Sequence, residues 1–237
     1  INERKEDQVA LVLIKGRVKT FQNDVPLDAE ITVIDNETQQ IVGVFESNSV
    51  TGRYTLILKP GKNYAVIVEA KGCLPYTANI NVEDKHVYYE RTMDITLQAL
   101  SAGSVAVLNN VFFDFNSYEL KNTSHAELDK FYSVMMENPK ILVEVAGHTD
   151  SDGKKEYNDK LSLKRAQAVV NYFRKKGVPQ ERLVARGYGE ANSFMTNDTE
   201  EGRAMNRRTE LIIHSSDEGD DWKSAHYNDI KERKIDE

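Results

Sequence analysis

Asp150 and Arg165 are the residues whose types and spacing best suit ligand binding in this sequence. Asp150 follows an apolar run, residues 141–146, that predicts a strand, and Arg165 lies in the amphipathic run that comes next. A carboxylate can hold an ammonium group, and the planar fork of a guanidinium can clamp a carboxylate. The pair therefore suits a ligand that carries both groups. A structural salt bridge between loop and helix is the alternative that the spacing leaves open.

Three residues lead from the predicted strand into the loop that carries Asp150, namely Gly147, His148 and Thr149. Backbone N–H groups near Thr149 and Asp150 are placed to help hold a carboxylate. His148 is predicted to orient the loop. We include all three among the candidate ligand-binding residues.

Asn158, Leu161 and Ser162 lie between Asp150 and Arg165 and are predicted to support them. The side chain of Asn158 is expected to fix the loop or to cap the following helix. Leu161 is expected in the core rather than against a ligand. Ser162 is placed to donate a hydrogen bond back into the loop. These roles are those of residues that hold the binding groups in position.

His148 suggests two catalytic alternatives, a Ser/His/Asp hydrolase with Asp150 and Ser151, or a metal site with Asp150. Residues so close in sequence cannot build the hydrolase geometry by themselves, and no G-x-S-x-G nucleophile elbow is present. A zinc site needs three or four ligands, and the other histidines stand in unrelated contexts. The sequence therefore predicts a protein that is not an enzyme and that holds no cofactor or metal.

Length and charge exclude two further classes of protein. The 237 residues suffice for two domains, and a hydrophobic content of 40% supports buried cores. The net charge of −7 divides into −3 over residues 1–100, zero over 101–214 and −4 over 215–237. No segment has the basic excess of a nucleic-acid-binding domain. No apolar run approaches the roughly 20 residues that span a membrane, and the absence of a leader at Ile1 suggests a mature or excised piece.

The first hundred residues predict an all-β sandwich. Six β-rich runs, at 9–18, 29–35, 40–47, 54–59, 63–70 and 78–82, are separated by short turns. Spacing of about ten residues indicates a sandwich of about seven strands with Greek-key connections. Tyrosines that fall mostly on these strands are expected to pack, although a row of three on one exposed face would indicate a glycan-binding module: Tyr54, Tyr64, Tyr76, Tyr88 and Tyr89.

Residues 101–214 alternate between strand and helix patterns. The runs predict strands at 105–115, 141–146, 183–186 and 209–214 and helices after Ser124 and over 161–176. A Ser124-to-Glu127 capping box opens the first helix, and Gly177 ends the second. The order βαβαββ predicts an α/β sandwich with a mixed sheet. Residues 215–237 are acidic, and we expect them to form a flexible tail. Within this tail, Trp222 and Tyr227 can either pack against the domain or stay exposed.

The loop and helix residues also resemble a known family. The pattern comprises Gly147-His148-Thr149-Asp150, Asn158, Leu161-Ser162, Arg165-Ala166 and Gly202-Arg203-Ala204-x-Asn206-Arg207-Arg208. It resembles the OmpA-like C-terminal domain over about residues 107–213. This resemblance implies non-covalent binding of peptidoglycan, with Asp150 accepting the ammonium of a diaminopimelate stem and Arg165 clamping its carboxylate.

The same resemblance adds residues on two other segments. In the family, the region of Phe113 and Asp114 forms a wall of the pocket, although Asp114 also reads as a turn residue. Arg207 and Arg208 point to opposite faces if both lie on a strand, so only one can face the ligand. We assign Arg208 to the side that faces the ligand. The alternative for these arginines is an ion pair with Glu210 or Glu201.

The N-terminal runs resemble the carboxypeptidase regulatory-like domain, a transthyretin-like sandwich without catalysis of its own. The resemblance rests on Gly16-Arg17-Val18, Pro26-Leu27, Thr51-Gly52-Arg53-Tyr54, Pro60-Gly61-Lys62-Asn63-Tyr64 and Gly72. Together the two domains resemble Bacteroidetes-type envelope lipoproteins, some of which serve the type IX secretion system. This implies a periplasmic, outer-membrane-associated wall anchor with protein partners in the outer membrane or secretion complex. The alternative is an assembly scaffold that acts through the sandwich.

Overall fold

The computed structural model describes residues 11–84, 88–114, 117–215 and 222–223. The chain divides into two compact units, Ile1–Leu97 and Gln98–Glu237. The sequence suggested a division after residue 100 and a separate tail from residue 215. Of that tail, the structure describes Ser215 and residues 222–223 alone. Trp222 docks, since it is 2% exposed and its ring centre lies 5.4 Å from that of His214. Tyr227 and the rest of the predicted flexible tail lie outside the described residues. Within the described residues no helix is long and apolar enough to cross a membrane.

Two four-stranded sheets make up the described part of the first unit. The strands are β1 (Val12–Thr20), β2 (Glu30–Asp35), β3 (Ile41–Glu46), β4 (Arg53–Leu58), β5 (Lys62–Glu69), β6 (Tyr76–Val82), β7 (Tyr89–Thr92) and β8 (Ile95–Leu97). One sheet has the order β4-β1-β7, with β8 also pairing with β1, and the other has the order β3-β2-β5-β6. Strands β7 and β8, which pair with β1 in parallel, were not among the six predicted runs.

A shared apolar core joins the inner faces of these two sheets. Strand β4 alternates exposed and buried positions, and its Tyr54, Leu56 and Leu58 point inward as the period-two pattern predicts. They meet Ile31 and Val33 of β2 in the same cluster. The two sheets therefore pack as a sandwich.

The tyrosines of this unit do not form an exposed row. Tyr54 and Tyr64 are buried in the core, where their hydroxyl groups donate to the backbone oxygens of Met93 and Lys59. Tyr76 is partly buried against the same core, and Tyr88 is exposed. Packing accounts for most of these aromatic side chains, so the glycan-binding alternative loses its support among the described residues.

The second unit is a mixed sheet with α-helices between its strands. Its elements are β9 (Val105–Leu108), α1 (His125–Glu137), β10 (Ile141–Gly147), α2 (Lys155–Lys176), β11 (Leu183–Gly187), α3 (Glu200–Asn206) and β12 (Thr209–Ser215). The strand order is β11-β10-β12-β9, in which β10 and β11 are parallel and the other pairs are antiparallel. The predicted βαβαββ order lacked the short helix α3, and the first strand ends at Leu108 rather than at residue 115.

The capping box predicted at the start of α1 does not form. Ser124 makes no side-chain capping bond, and its hydroxyl group instead accepts from the N–H of Phe112 at 2.9 Å. The carboxylate of Glu127 accepts from the N–H groups of Asn109 and Asn110. Both side chains therefore hold the segment after β9 instead of the helix terminus.

Helix α2 begins at Lys155, well before the predicted start at residue 161. It ends as predicted at Gly177, whose φ of 112° places it in the left-handed region that favours glycine. Ala166, Val169, Val170 and Phe173 form its buried stripe. This stripe fixes the helix against the sheet and thereby positions the residues that precede it.

Candidate functional site

The junction between β10 and α2 depends on a close approach of two backbones. A Cβ atom at Gly147 would lie 2.2 Å from the carbonyl oxygen of Ser162, so only glycine fits at this end of β10. The Ser162 hydroxyl group donates to the Asp159 carbonyl oxygen and accepts from the Gly189 N–H, each at 3.0 Å. The first half of α2 is thereby held against the ends of β10 and β11.

Hydrogen bonds fix the loop from His148 to Gly153 at both of its ends. The N–H of His148 donates to Arg208 O and that of Thr149 to Gly189 O, each at 2.9 Å. At the other end the Asn158 amide donates to the carbonyl oxygens of Asp150 and Asp152, at 3.3 and 3.1 Å. Asn158 is buried, and it holds the loop as the sequence predicted.

This loop forms one wall of a pocket of about 650 Å³, a size within the range of small-ligand sites. The other walls come from the first half of α2 and from the ends of α3. The residues that line the pocket are Thr149, Asp150, Asp152, Gly153, Tyr157, Asn158, Leu161, Arg165, Glu200 and Arg207.

Asp150 is paired with Arg207 in this pocket. Arg207 Nη1 donates to Asp150 Oδ2 at 2.7 Å, and Arg207 Nη2 donates to Glu200 Oε1 at 2.7 Å. Partial burial alone would lower the pKa of Arg207, but the hydrogen bonds that it donates to the carboxylates of Asp150 and Glu200 raise the pKa above its ordinary value. Both terminal nitrogens of Arg207 are therefore committed to carboxylates of the protein.

Arg165 lies in the same pocket with its terminal nitrogens available. Its Nε donates to the Ser117 carbonyl oxygen at 3.0 Å, and its guanidinium carbon stands 5.1 Å from the ring centre of Phe113. Within the described residues, Nη1 and Nη2 form neither a hydrogen bond nor an ion pair. Burial lowers the pKa of Arg165, with Asp150 opposing and Arg207 adding to that effect. The side chain stays charged, because an arginine does not lose its proton in proteins.

Thr149 contributes a hydroxyl group whose hydrogen-bonding capacity is unused. The side chain lines the pocket and is 4% exposed, and its Oγ1 has no hydrogen-bond partner among the described residues. Buried hydroxyl groups are nearly always hydrogen-bonded in native proteins. This oxygen is itself buried, so the pocket wall at Thr149 is formed by its other atoms.

Phe113 and Asp114 take different places beside this site. The ring of Phe113 supports the guanidinium of Arg165, and its backbone forms an isolated bridge with Leu120. Asp114 is exposed and its Oδ1 pairs with Lys121 Nζ at 2.6 Å, in keeping with the turn role rather than with ligand contact. Neither residue lines the pocket itself.

His148 and Arg208 point away from the pocket into a buried polar cluster. His148 Nε2 lies 3.5 Å from Glu210 Oε2, its ring stacks on Tyr188, and Arg208 Nε donates to Glu210 Oε1 at 2.7 Å. Burial alone would raise the pKa of Glu210, but His148 and Arg208 lower it to about 2. The ion pair of Arg208 with Glu210 is the structural alternative that the sequence left open.

Comparison with known proteins finds a family match within the second unit. Residues 112–207 match the model of the OmpA family. The second unit contains an OmpA-like domain. Outer membrane porin F of Pseudomonas fluorescens is 42% identical over 111 residues, which cover 47% of this chain and 34% of the porin. The probable lipoprotein YiaD of Escherichia coli is 40% identical over 105 residues, covering 44% of this chain and 48% of YiaD.

A solved structure resembles the same part of the chain. The crystal structure of the peptidoglycan-associated lipoprotein from Burkholderia pseudomallei is 31% identical, with a TM-score of 0.42, and the match covers 44% of this chain and 88% of that one. The chain spans less than half of the length of porin F and of YiaD.

The OmpA-like domain brings five of the predicted site residues to the pocket wall, namely Thr149, Asp150, Asn158, Leu161 and Arg165. The expected core position of Leu161 is wrong, because its side chain is only half-buried and lines the pocket. Gly147 and Ser162 lie directly behind it, where they fix the distance between β10 and α2. The prediction did not include four polar or aromatic residues of the lining, which are Asp152, Tyr157, Glu200 and Arg207.

Of the two adjacent arginines in this OmpA-like domain, Arg207 and not Arg208 reaches the pocket. The prediction treated both residues as part of a strand, but β12 begins at Thr209 and Arg207 is the C-cap residue that follows α3. Strand alternation therefore does not apply to Arg207. The Thr199 hydroxyl group, which accepts from Gly202 N at the start of α3, is the signal that would have revealed this helix.

Proposed function

We propose that the OmpA-like domain binds the peptide stem of peptidoglycan non-covalently, through the free amino-acid group at the end of a diaminopimelate side chain. The observation that carries the proposal is the presence of the Asp150 carboxylate and the available Arg165 fork in one pocket. Such a pocket suits a group that has an ammonium and a carboxylate on one carbon. The match to the OmpA family supports the same ligand class.

Each end of this group has a matching partner in the pocket. The Arg165 Nη1 and Nη2 groups can donate two parallel hydrogen bonds to the ligand carboxylate. Asp150 can accept from the ligand ammonium, because its Oδ1 receives only a long bond, 3.2 Å, from the Asp152 N–H. A stem residue that has the ammonium but no second carboxylate would lose the Arg165 contacts.

The binding of one stem is expected to be weak, between about millimolar and micromolar, which corresponds to roughly −4 to −8 kcal/mol. A wall polymer presents many stems, so a membrane-associated protein would rebind quickly and remain attached. The outer-membrane and lipoprotein relatives support an envelope location. The protein would thus act as a wall anchor in the periplasm, and the first unit would space the anchor or dock a protein partner.

Calorimetric titration with a diaminopimelate-containing stem peptide tests this proposal. The wild type is expected to bind, and Asp150→Ala and Arg165→Ala are each expected to lose at least about tenfold in affinity, which equals about 1.4 kcal/mol. The matched peptide with lysine in place of diaminopimelate lacks the second carboxylate and should bind the wild type as weakly as the variants bind the full ligand.

Two controls make the result decisive. Circular dichroism must show that both variants keep the wild-type fold, and Asp152→Ala, which removes an exposed carboxylate from the same pocket, should retain most of the affinity. A folded wild type that binds no diaminopimelate peptide at millimolar concentration would overturn the proposal. Equal binding of the diaminopimelate and lysine peptides would overturn the assignment of Arg165.

A further inference from the structure

Strand β3 lies at the open edge of its sheet in the first unit. Its only neighbour among the described strands is β2. The Ser47 N–H donates to Ala29 O at 2.9 Å, so the backbone groups of Ser47 point towards β2. Because these groups alternate in direction along a strand, those of Phe45 and Gly43 also point towards β2. Those of Val44 and Glu46 point outward, where no hydrogen bond to them is formed within the described residues. The edge thus presents a row of unused donors and acceptors.

The side chains on this edge are apolar and exposed. Ile41, Val42 and Val44 are 64%, 45% and 55% exposed. Edge strands are ordinarily protected from pairing with other chains by lysine, proline or an inward-pointing charge. Strand β3 contains none of these protective residues, whereas the edge strand β4 begins with the exposed Arg53. A register irregularity, which can also protect an edge, lies between Ile41 and Gly43, so the regular part of the edge runs from Gly43 to Glu46. The β3 edge is therefore competent to pair with another strand.

An acidic row crosses the sheet at the end of β3. Glu46 pairs directly with Glu30 of β2, and Glu30 pairs directly with Glu69 of β5. Glu46 and Glu30 are exposed and form no ion pair within the described residues. Like charges directly opposite one another destabilise a sheet. A cation placed beside Glu46 would relieve this repulsion.

We infer that β3 is a docking edge for an extended segment of another protein, which adds to the sheet as a further strand. The segment would alternate apolar side chains, which pack on Ile41, Val42 and Val44, and would place a lysine or arginine next to Glu46. Its backbone would use the outward-facing groups of Val44 and Glu46. Backbone hydrogen bonds would supply the binding affinity. The basic residue beside Glu46 would fix the register in which the segment pairs with β3.

Charge complementarity favours another protein over a second copy of this chain. Two copies of β3 can pair edge to edge, but residues 36–52 contain neither lysine nor arginine. The pairing of two such strands would bring further carboxylates to the edge and no cation. This inference is independent of the wall-binding proposal, because it concerns the first unit and needs no residue of the pocket.

A labelled peptide of alternating valine and threonine with one lysine tests the inference against the full chain. We expect fluorescence anisotropy to detect binding, and hydrogen exchange to show new protection over residues 41–46. The same peptide with glutamate in place of lysine should bind at least tenfold more weakly. Glu46→Lys should reverse this preference, and Glu37→Lys, an equal charge change in the turn before β3, should not.

Val44→Lys should abolish peptide binding, while Val50→Lys, a change at a more exposed valine outside the strands, should leave it unchanged. Failure of both peptides to bind at millimolar concentration would overturn the inference. So would binding that is indifferent to Val44→Lys, or a wild-type dimer in light scattering that Val44→Lys dissolves, since the latter would assign the edge to a second copy. Circular dichroism checks that every variant keeps the wild-type fold.

Discussion

The carboxylate of Asp150 is held by Arg207, at 2.7 Å, and not by Arg165, the cation that the sequence pattern links to it. Arg165 instead stands over Phe113 with its terminal nitrogens unused by the described residues. Of the two arginines that line the pocket, Arg207 is therefore paired with carboxylates of the protein and Arg165 is available. A ligand ammonium must compete with Arg207 for Asp150, whereas a ligand carboxylate meets no competitor at Arg165.

This competition predicts that Arg207→Gln strengthens the binding of a ligand that has only the ammonium. The substitution releases Asp150 and removes a positive charge from the pocket, so the lysine-containing stem peptide should bind about three- to tenfold more tightly. The partly exposed pair contributes on the order of 1 kcal/mol or less to stability. Calorimetry with Arg203→Gln as the matched control checks the prediction. Unchanged or weaker binding of the lysine peptide would contradict it.

Arg165→Lys tests whether the ligand needs the positive charge of Arg165 or the arrangement of its N–H donors. Lysine keeps the positive charge but not the two parallel donors, so the diaminopimelate peptide should bind about tenfold more weakly, a loss of about 1.4 kcal/mol. The lysine peptide lacks the group that Arg165 would clamp, and its affinity should not change. Lys164→Gln, at the neighbouring exposed cation that lies over Tyr118, provides the control. A loss of equal size for both peptides would indicate a structural role.

Thr149→Val tests whether the unpartnered hydroxyl group serves the ligand. The two side chains have nearly the same shape, and the Thr149 Oγ1 has no hydrogen bond to lose among the described residues. The free energy of unfolding should therefore stay the same or rise slightly. Affinity for the diaminopimelate peptide should stay within about twofold of the wild type, because the buried Oγ1 is out of reach of a ligand in the pocket. A fivefold or greater loss of affinity in a folded Thr149→Val variant would show that the ligand does reach the hydroxyl group.

Local periodicity predicted the parts of this site that local sequence determines. The apolar run of β10, the buried stripe of α2 and the glycine that ends this helix all carry strong signals, and the structure contains each of them. The first turns of α2 carry no such signal, because the segment from Lys155 to Lys160 contains no aliphatic residue. Its helical state follows from the apolar stripe that continues the same helix.

Tertiary contacts decided the features that the sequence could not reveal. Ser124 and Glu127 fit the capping-box pattern, yet both are recruited by the segment after β9. The choice between Arg207 and Arg208 depends on where β12 begins, and a helix of seven residues before it decides that point. In both cases the local pattern was compatible with two structures, and packing selected one of them.

Gly147→Ala should damage the fold and the pocket together. The added methyl group would lie 2.2 Å from the Ser162 carbonyl oxygen, which is backbone and cannot rotate away. The free energy of unfolding should fall by about 2 kcal/mol, as for an overpacked core. Binding should weaken as well, because the clash moves α2 and with it Arg165. Gly177→Ala, which strains a left-handed position far along the helix, should destabilise the chain and leave stem binding unchanged.

Glu210 should make the free energy of unfolding of the second unit depend on pH in the acidic range. Its pKa is about 2 in the folded chain, against an ordinary value of 4.5, because His148 and Arg208 hold the ionised form despite burial. The unfolded chain binds the proton more readily, so the stabilisation is complete above about pH 4.5 and is lost as the pH falls towards 2. This group should remove up to about 3 kcal/mol of the free energy of unfolding across that window.

Denaturant unfolding at a series of pH values measures this loss. Glu210→Gln should be less stable than the wild type near neutral pH, because it leaves the buried Arg208 without its carboxylate, and its stability should change less between pH 4.5 and 2. Glu137→Gln, at an exposed position at the end of α1, should follow the wild-type curve. Parallel curves for the wild type and Glu210→Gln would show that the acid sensitivity of the fold arises at other carboxyl groups.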